Sequence, residues 1–436
     1  MEQSMGADRP VVRVADLESF AGQEVCLRGW AWNRRGSGKV RFLQLRDGSG
    51  FVQVVAGEQD TDAESFERMR HLEQEAAVEV VGRVVRTEGK PVEVVACSVV
   101  QLGGSGGYPI TPKEHGTEFL MERRHLWLRS PRQQAILRVR HRIASSIRGY
   151  FDDLGFTLVD APIFTANECE GSSTLFATDY FGEKAYLSQS GQLYMEAAAA
   201  AVGKAYCFGP TFRAENSNTR RHLTEFWMVE PEVAFMDLAG DMELAEGLVH
   251  RILAEVLEHC RPELERLERD TAPLEAALRP FARLSYSDAV EILREAGEEF
   301  TWGEDFGGGH ETIIASRYDR PVIVHRYPAA CKAFYMRRDS DDDRLSLSMD
   351  VLAPEGYGEV IGGGERATDL AVLERTLAEH GIAPEPFDWY LDLRKYGTFP
   401  HAGFGLGLER TVAWVCGLPH VRETIPFPRM PGRLRP

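Results

Sequence analysis

Residues 103–107 read GGSGG, and the chain obeys different periodicities on either side of them. Upstream, VCLRGWAW (25–32), VRFLQLRDGSG (40–50), FVQVV (51–55), AVEVVGRVV (77–85) and VEVVACSVVQL (92–102) are short apolar runs split by Gly, Asp and Ser turns. Such runs predict strands. EQDTDAESFERMRHL (58–72) predicts a helix between the third and the fourth. Five strands and one helix in about 100 residues suit a small closed β-barrel of the OB-fold type. The glycines mark a flexible junction, and 109–130 read as a connector.

Downstream there is no regular βαβ alternation. RQQAILRVRHRIASSIRGYFDDLG (132–155) predicts a helix with Ile136, Val139, Ile143 and Ile147 on one face and Gly155 near its end. FTLVDAPIF (156–164) predicts a strand containing Pro162, and 237–270 predict a helical block. The remaining strands carry glycines and charges. The expectation is an α+β protein: a barrel over 1–105, a hinge over 106–131, and a larger domain over 132–436 with an antiparallel sheet flanked by helices. A length of 436 residues agrees with two domains rather than one core.

Charge and cysteine usage narrow the class. A net charge of −17 excludes a global basic field, so any RNA contact must use local basic patches. Seven scattered cysteines with no CxxC spacing predict a reducing compartment, no zinc site and no disulfide framework. The first ten residues, MEQSMGADRP, lack the apolar core of a signal peptide, and the small-apolar run at 197–202 is too short to span a bilayer. A cytoplasmic protein without membrane contact is expected.

Three segments of the larger domain carry chemistry. The first is 208–232, FGPTFRAENSNTRRHLTEFWMVEPE, which reads as strand, loop and returning strand. On the returning strand Phe226, Met228, Glu230 and Glu232 share one face. The loop offers Asn216, Ser217, Asn218, Arg220, Arg221 and His222 as donors, as a phosphate site requires. Taken alone, the two glutamates fit a solvated sheet edge as well as a ligand site. The second segment is GFGLGLER (403–410), a Gly-alternating strand running into a helix that Arg410 opens. Its glycines admit either a ligand or a tightly packed neighbour, and a helix N-terminus favours an anion. The third is SMDVLAPEGYGEVIGGGER (348–366). Asp350 and Glu359 suit Mg²⁺ beside phosphates, or water on a turn-rich segment. Arg213 and Arg410 are placed to grip one triphosphate. Fixed guanidinium groups stabilise the extra charge of a crowded phosphorus without reorganising.

These segments resemble a known family. FRAENSNTRRHLTEFWMVEPE is similar to motif 2 of the class II aminoacyl-tRNA synthetases, and GFGLGLER to motif 3. GYFDDLGFTLVDAPIF (149–164) resembles motif 1, whose proline ends a strand at the dimer interface. Within the aspartyl/asparaginyl/lysyl subgroup, APEGYGEVIGGGER and IPFPRMPG (425–432) most resemble the asparaginyl members. The resemblance covers nearly the whole chain, and three motifs in order are specific where one would not be. It implies an anticodon-binding OB-fold, a catalytic domain on an antiparallel sheet, and a homodimer. It also implies ATP with Mg²⁺, and ligation of asparagine to tRNA(Asn) through an asparaginyl-adenylate.

The resemblance further implies roles. Arg213 would bind the α-phosphate, Arg410 the far end of the triphosphate, and Arg221 and His222 its outer phosphates. Glu215 and Phe226 would hold adenine, Phe226 by stacking. Asp350 and Glu359 would carry Mg²⁺, so that Arg213, Arg410 and Glu359 form the catalytic set. Glu170 and Gly171 match a loop that closes over the amino acid, and Gln192 lies on the pocket floor. Met195 stands where aspartyl relatives carry a lysine, and Glu230 where they carry an aspartate. Glu230 would accept from a carboxamide NH₂ while Arg366 donates to its oxygen, and the same carboxylate would repel aspartate. In the barrel, Arg34, Arg35, Phe42 and Gln53 match residues that engage the anticodon. An aromatic stacks a base, arginines take phosphates and an amide reads a base edge. On the residues alone, Phe42 fits barrel core too. Two rivals stay open. One is a paralogous ligase passing its adenylate to ammonia or a small amine; the other is a non-catalytic RNA-binding paralogue, which the retained Arg213, Glu359 and Arg410 disfavour.

Overall fold

In the first of the chain's two compact units, alternate residues of five strands point into one apolar core. The computed structural model describes residues 9–167, 169, 175–217 and 219–436. The units are Met1–Leu120 and Met121–Pro436, so the division falls within the connector. The strands of the first unit are β1 (Glu24–Ser37), β2 (Val40–Arg46), β3 (Phe51–Gly57), β4 (Ala77–Val85) and β5 (Glu93–Gly103). They pair in the order β1-β2-β3-β5-β4, and β4 pairs back on β1, closing the barrel. Leu27, Leu43, Leu45, Val54, Val80 and Val94 fill it, each contributing about 1.5–3 kcal/mol of burial. The helix expected over 58–72 runs only over Ala63–His71, because the Asp62 side chain accepts from the Ser65 N–H and caps it there. The strand expected over 40–50 stops at Arg46, where the Asp47 carboxylate accepts from the N–H groups of Ser49 and Gly50 and turns the chain.

The second unit is built on an eight-stranded sheet. Its strands are β6 (Thr157–Leu158), β10 (Lys204–Phe212), β11 (Glu225–Ala234), β12 (Ala282–Ser285), β13 (Val322–His325), β14 (Ser348–Ala353), β15 (Gly358–Glu365) and β16 (His401–Gly407). The order is β12-β13-β14-β15-β16-β11-β10-β6, antiparallel except at its two ends. A small separate sheet holds β7 (Phe164–Thr165), β8 (Ala177–Tyr180) and β9 (Glu183–Leu187). The helices Pro131–Asp153 and Leu238–His259 share the main core: Ile136, Val139, Ile143 and Ile147 with Leu248 and Ile252 meet Val229, Val351, Ile361 and Leu406 of the sheet.

Three expectations are corrected. The strand over 156–164 is broken into β6, paired with β10, and β7, paired with β9. Pro162 has no N–H for a continuous ladder. The helical block over 237–270 breaks at Cys260, because Pro262, in the first turn of the next helix, cannot continue the preceding ladder. The solvated-edge reading of the two glutamates fails as well. β11 lies inside the sheet between β10 and β16, and Glu230 and Glu232 are 4% and 1% exposed.

One core acid sets a pH dependence. Asp241, on the Leu238–His259 helix, is fully buried, and among the described residues neither carboxyl oxygen has a hydrogen-bond partner. Burial pushes its pKa well above the ordinary value; Arg366 opposes this, and Glu232 and Glu365 reinforce it. The folded chain thus keeps a proton that the unfolded chain releases above about pH 4. Stability from this group falls as pH rises from there through the folded pKa. Asp241→Asn removes that titration, so its Tm gain over the parent is expected to be larger at about pH 8 than at about pH 5. Equal gains in calorimetry at both values would refute the assignment.

Candidate active site

The hairpin β10–β11, the strands β15 and β16, and the helix Leu408–Cys416 enclose one cleft. It is lined by Arg213, Glu215, Arg221, His222, Phe226, Glu359 and Arg410, the full set assigned to ATP from the sequence. Met228, Gly405 and Gly407 complete its floor, and it holds about 720 Å³ of empty space partly open to solvent.

Each cation is held by its surroundings. Arg213 follows β10 directly; its N–H donates to the Thr224 carbonyl at 3.1 Å. Its guanidinium carbon lies 5.4 Å from the Phe226 ring centroid, a cation–π packing that orders a long side chain. Arg410 sits in the first turn of its helix, where Nη1 donates to the Glu359 carbonyl and lies 3.7 Å from Glu359 Oε2. Arg221 Nη1 donates to Glu311 Oε2 at 3.0 Å, and Nη2 to Thr312 Oγ1 at 2.9 Å. Burial and then Arg410 push His222 below its ordinary pKa, against Glu215 at 3.8 Å. His222 thus stays neutral near pH 7 beside the guanidinium groups of Arg213, Arg221 and Arg410.

The glycines of the second motif do two jobs. A Cβ at Gly403 would lie 2.2 Å from the Pro231 carbonyl oxygen and 2.3 Å from Glu232 Oε2, so this glycine permits close strand packing. A Cβ at Gly405 would lie 2.4 Å from Met228 Cε, so that one keeps the cleft floor open.

Asp350 and Glu359 converge over a third glycine. A Cβ at Gly362 would lie 3.3 Å from Asp350 Oδ1 and 2.8 Å from Glu359 Oε1. Asp350 Oδ2 instead accepts from Lys332 Nζ at 2.7 Å. Burial raises Asp350 to about 7, with Lys332 opposing and Glu359 reinforcing. Two carboxylates facing one glycine fit a hard divalent cation. Among the described residues no group of three or more His, Cys, Asp or Glu could hold a metal ion. A cation here would therefore complete its shell with phosphate oxygens and water.

Two residues along β11 from Met228, Glu230 accepts hydrogen bonds from Ser190 Oγ, from the Gly191 N–H at 2.8 Å and from Cys207 Sγ at 3.3 Å. Gln192 begins the helix that follows, and its Nε2 donates to Glu196 Oε1 at 3.2 Å. Met195 is fully buried with Ala205 and Cys207, one side chain removed from Glu230. Arg366 is 1% exposed and pairs with Glu232 through Nε at 3.1 Å and Nη2 at 2.9 Å. Its Nη1 lies 3.8 Å from Met336 Sδ. Two of its nitrogens therefore serve Glu232. Glu170, Gly171 and Asn218 lie outside the described residues.

Sequence reasoning missed three partners: Glu232 for Arg366, Lys332 for Asp350 and Glu311 for Arg221. Glu232 was within reach, since it shares the strand face of Glu230. Nothing local marks Lys332 or Glu311.

In the barrel unit, Arg35 Nη2 donates to Gln53 Oε1 at 2.9 Å, and its guanidinium carbon lies 5.1 Å from the Phe42 ring centroid. Gln53 Nε2 donates to Glu93 Oε1 at 2.6 Å. Leu43 and Leu45 point inward, so the half-buried Phe42 points outward, and the barrel-core alternative is corrected. Arg34 Nη1 donates to the Arg70 carbonyl at 2.6 Å. Arg34, Arg35, Arg41 and Arg70 line a shallow basic cavity, a local positive patch on an acidic chain.

The sequence model of the family described as tRNA synthetases class II (D, K and N) matches residues 116–431. That for the OB-fold nucleic acid binding domain matches residues 25–102. The chain belongs to the class II tRNA synthetases. It is 63% identical to the asparagine–tRNA ligase of Sorangium cellulosum (strain So ce56), over 98% of this chain and 100% of that protein. It is 55% identical to the asparagine–tRNA ligase of Desulforamulus reducens, over 97% of this chain and 99% of that protein. The crystal structure of asparaginyl-tRNA synthetase from Pyrococcus horikoshii complexed with asparaginyl-adenylate matches with a TM-score of 0.95 and 41% identity, over 98% of this chain and 99% of that one. Within the class, the chain belongs to the asparagine–tRNA ligase family.

Proposed function

We propose that this chain ligates asparagine to tRNA(Asn) in two steps. The α-carboxylate of asparagine attacks the α-phosphorus of ATP in line, and pyrophosphate leaves. The terminal ribose hydroxyl of the tRNA then attacks the carbonyl of the mixed anhydride, and AMP leaves. No side chain serves as a covalent nucleophile, so positioning and charge stabilisation carry both steps. The observation that carries this reading is the single cleft in which Arg213, Arg410 and Glu359 meet, with Glu230 two residues beyond Met228 on the same strand.

Arg213 takes the α-phosphate; Arg410, Arg221 and His222 take the outer ones; Phe226 and Glu215 hold adenine. The convergence of Asp350 and Glu359 over Gly362 supports them as the holders of Mg²⁺. When bound, that ion neutralises charge on the pyrophosphate. Glu230 accepts from the carboxamide of asparagine and repels the second carboxylate of aspartate, while Gln192 and Met195 form and support the floor. Arg366, its charge balanced by Glu232, donates a hydrogen bond without offering aspartate a free cation. Glu170 is assigned to the ammonium by resemblance alone.

A homodimer is supported by the short strand β6 at the edge of the main sheet and by exposed Leu158, Ile163 and Phe164 nearby in sequence. A cytoplasmic site of action is supported by the scattered cysteines. Arg34, Arg35, Phe42 and Gln53 are assigned to the anticodon.

Charging of a purified tRNA pool with labelled asparagine or aspartate tests the function, with the acceptor trapped as aminoacyl-tRNA or as free amide. Charging with asparagine alone is expected; a free amide would overturn the tRNA acceptor. Phe42→Ala is expected to raise the KM for tRNA about tenfold or more, the loss of one stacked base. ATP–pyrophosphate exchange by that variant should stay within about twofold, because the adenylate forms in the other unit. The opposite pattern would contradict the assignment of the two units.

A further inference from the structure

Beside the residues assigned to asparagine lies a buried carboxylate that neither step uses. Glu196 is 1% exposed. Its Oε1 accepts from Gln192 Nε2 at 3.2 Å and from Tyr390 Oη at 2.9 Å. Its Oε2 accepts from Arg394 Nη2 at 2.6 Å, lies 3.0 Å from His401 Nε2, and is also 2.9 Å from Tyr390 Oη. These partners come from the Gln192–Val202 helix, the Asp388–Lys395 helix and the start of β16. Burial opposes ionisation of Glu196, yet Arg394 and His401 hold its pKa well below the carboxylate range.

Two of the contacts run onward to Arg366. Arg394 Nε donates to the carbonyl of Ala367 at 2.8 Å. The backbone carbonyl of His401 accepts from the Arg366 N–H at 3.0 Å. One carboxylate therefore ties the side chain of Gln192 to the backbone that carries Arg366. A buried ion pair is a weak source of stability, since apolar replacement is often neutral. Its value here is geometric, because a Gln amide with no fixed acceptor is free to rotate and flip.

We infer that Glu196 is a positioning residue for asparagine, setting Gln192 and Arg366 in fixed relation across the amino-acid pocket. The inference rests on the reading of Gln192, Glu230 and Arg366 as that pocket. Glu196→Gln keeps the shape but loses the anionic acceptor. Arg394→Lys keeps the charge but cannot span both Glu196 and Ala367. Both are expected to raise the KM for asparagine in ATP–pyrophosphate exchange about tenfold, with the KM for ATP within about twofold. Tyr390→Phe also breaks contacts to Glu196 and the bond its Oη accepts from Arg394 Nη2 at 3.0 Å, but it leaves the Gln192–Glu196, Glu196–Arg394 and Arg394–Ala367 links in place, so it should lower Tm and leave both KM values within about twofold.

If Glu196→Gln fails to fold, Arg394→Lys decides. An unchanged asparagine KM in the folded variants, or equal rises for asparagine and ATP, would overturn the inference. A rise with Tyr390→Phe matching that of Glu196→Gln would reduce Glu196 to a structural role and overturn it as well. Glu230→Gln run in parallel separates the two claims. A changed asparagine KM there, with none in Glu196→Gln and Arg394→Lys, sinks the positioning role alone; no change in any of the three sinks the pocket itself.

Discussion

Arg213→Ala is expected to lower asparagine-dependent ATP–pyrophosphate exchange by about 10³-fold, the scale of removing a fixed cation from a phosphoryl transition state. The in-line attack concentrates negative charge on the α-phosphate oxygens. Arg213 is held against Phe226 and tied at its backbone to Thr224, so it meets that charge without reorganising. The side chain lines a cleft rather than the core, and its removal should leave Tm almost unchanged. Arg213→Lys is expected to recover little, because a single ammonium does not reproduce the planar fork. Exchange by Arg213→Ala within about tenfold of the parent would remove the α-phosphate assignment.

Glu230→Gln carries the second large effect. The carboxylate is 4% exposed and is aimed by Ser190, Gly191 and Cys207. Glutamine loses a charged acceptor for the carboxamide, a loss of about 1.5–3 kcal/mol. It also removes the repulsion that excludes a second carboxylate. The asparagine kcat/KM should fall about tenfold to 10²-fold, and the preference for asparagine over aspartate by about 10²-fold. Pyrophosphate exchange with each amino acid reads both numbers. A preference that survived intact would place discrimination elsewhere, for instance at Met195 or Arg366.

Much of the architecture was legible because its signals are local. The barrel strands are short apolar runs bounded by turn residues, and β3 and β4 bury alternate residues, so β1–β5 could be read from the sequence. The helix Pro131–Asp153 showed its buried stripe at Ile136, Val139, Ile143 and Ile147. The failures had local causes that competed with those patterns. Pro162 interrupted a run that looked like one strand, and Pro262 ended a run that looked like one helix. The residues that line the cleft were legible because they sit in three short motifs: a strand–loop–strand hairpin, a strand running into a helix, and a strand with its preceding turn.

Residue types and their spacing determined two domains, a mixed fold, a pair of arginines suited to a triphosphate, and a strand face carrying Glu230 and Glu232. Sheet order alone decided who pairs with whom. Arg366 and Glu232 are 134 positions apart and meet because β15 and β11 flank the glycine-rich β16. Glu196 meets His401 across 205 positions because the Gln192–Val202 helix packs on the face of that sheet. The energy of a buried charge depends on the nearest opposite charge and the water excluded around it. Neither quantity exists until the chain has folded.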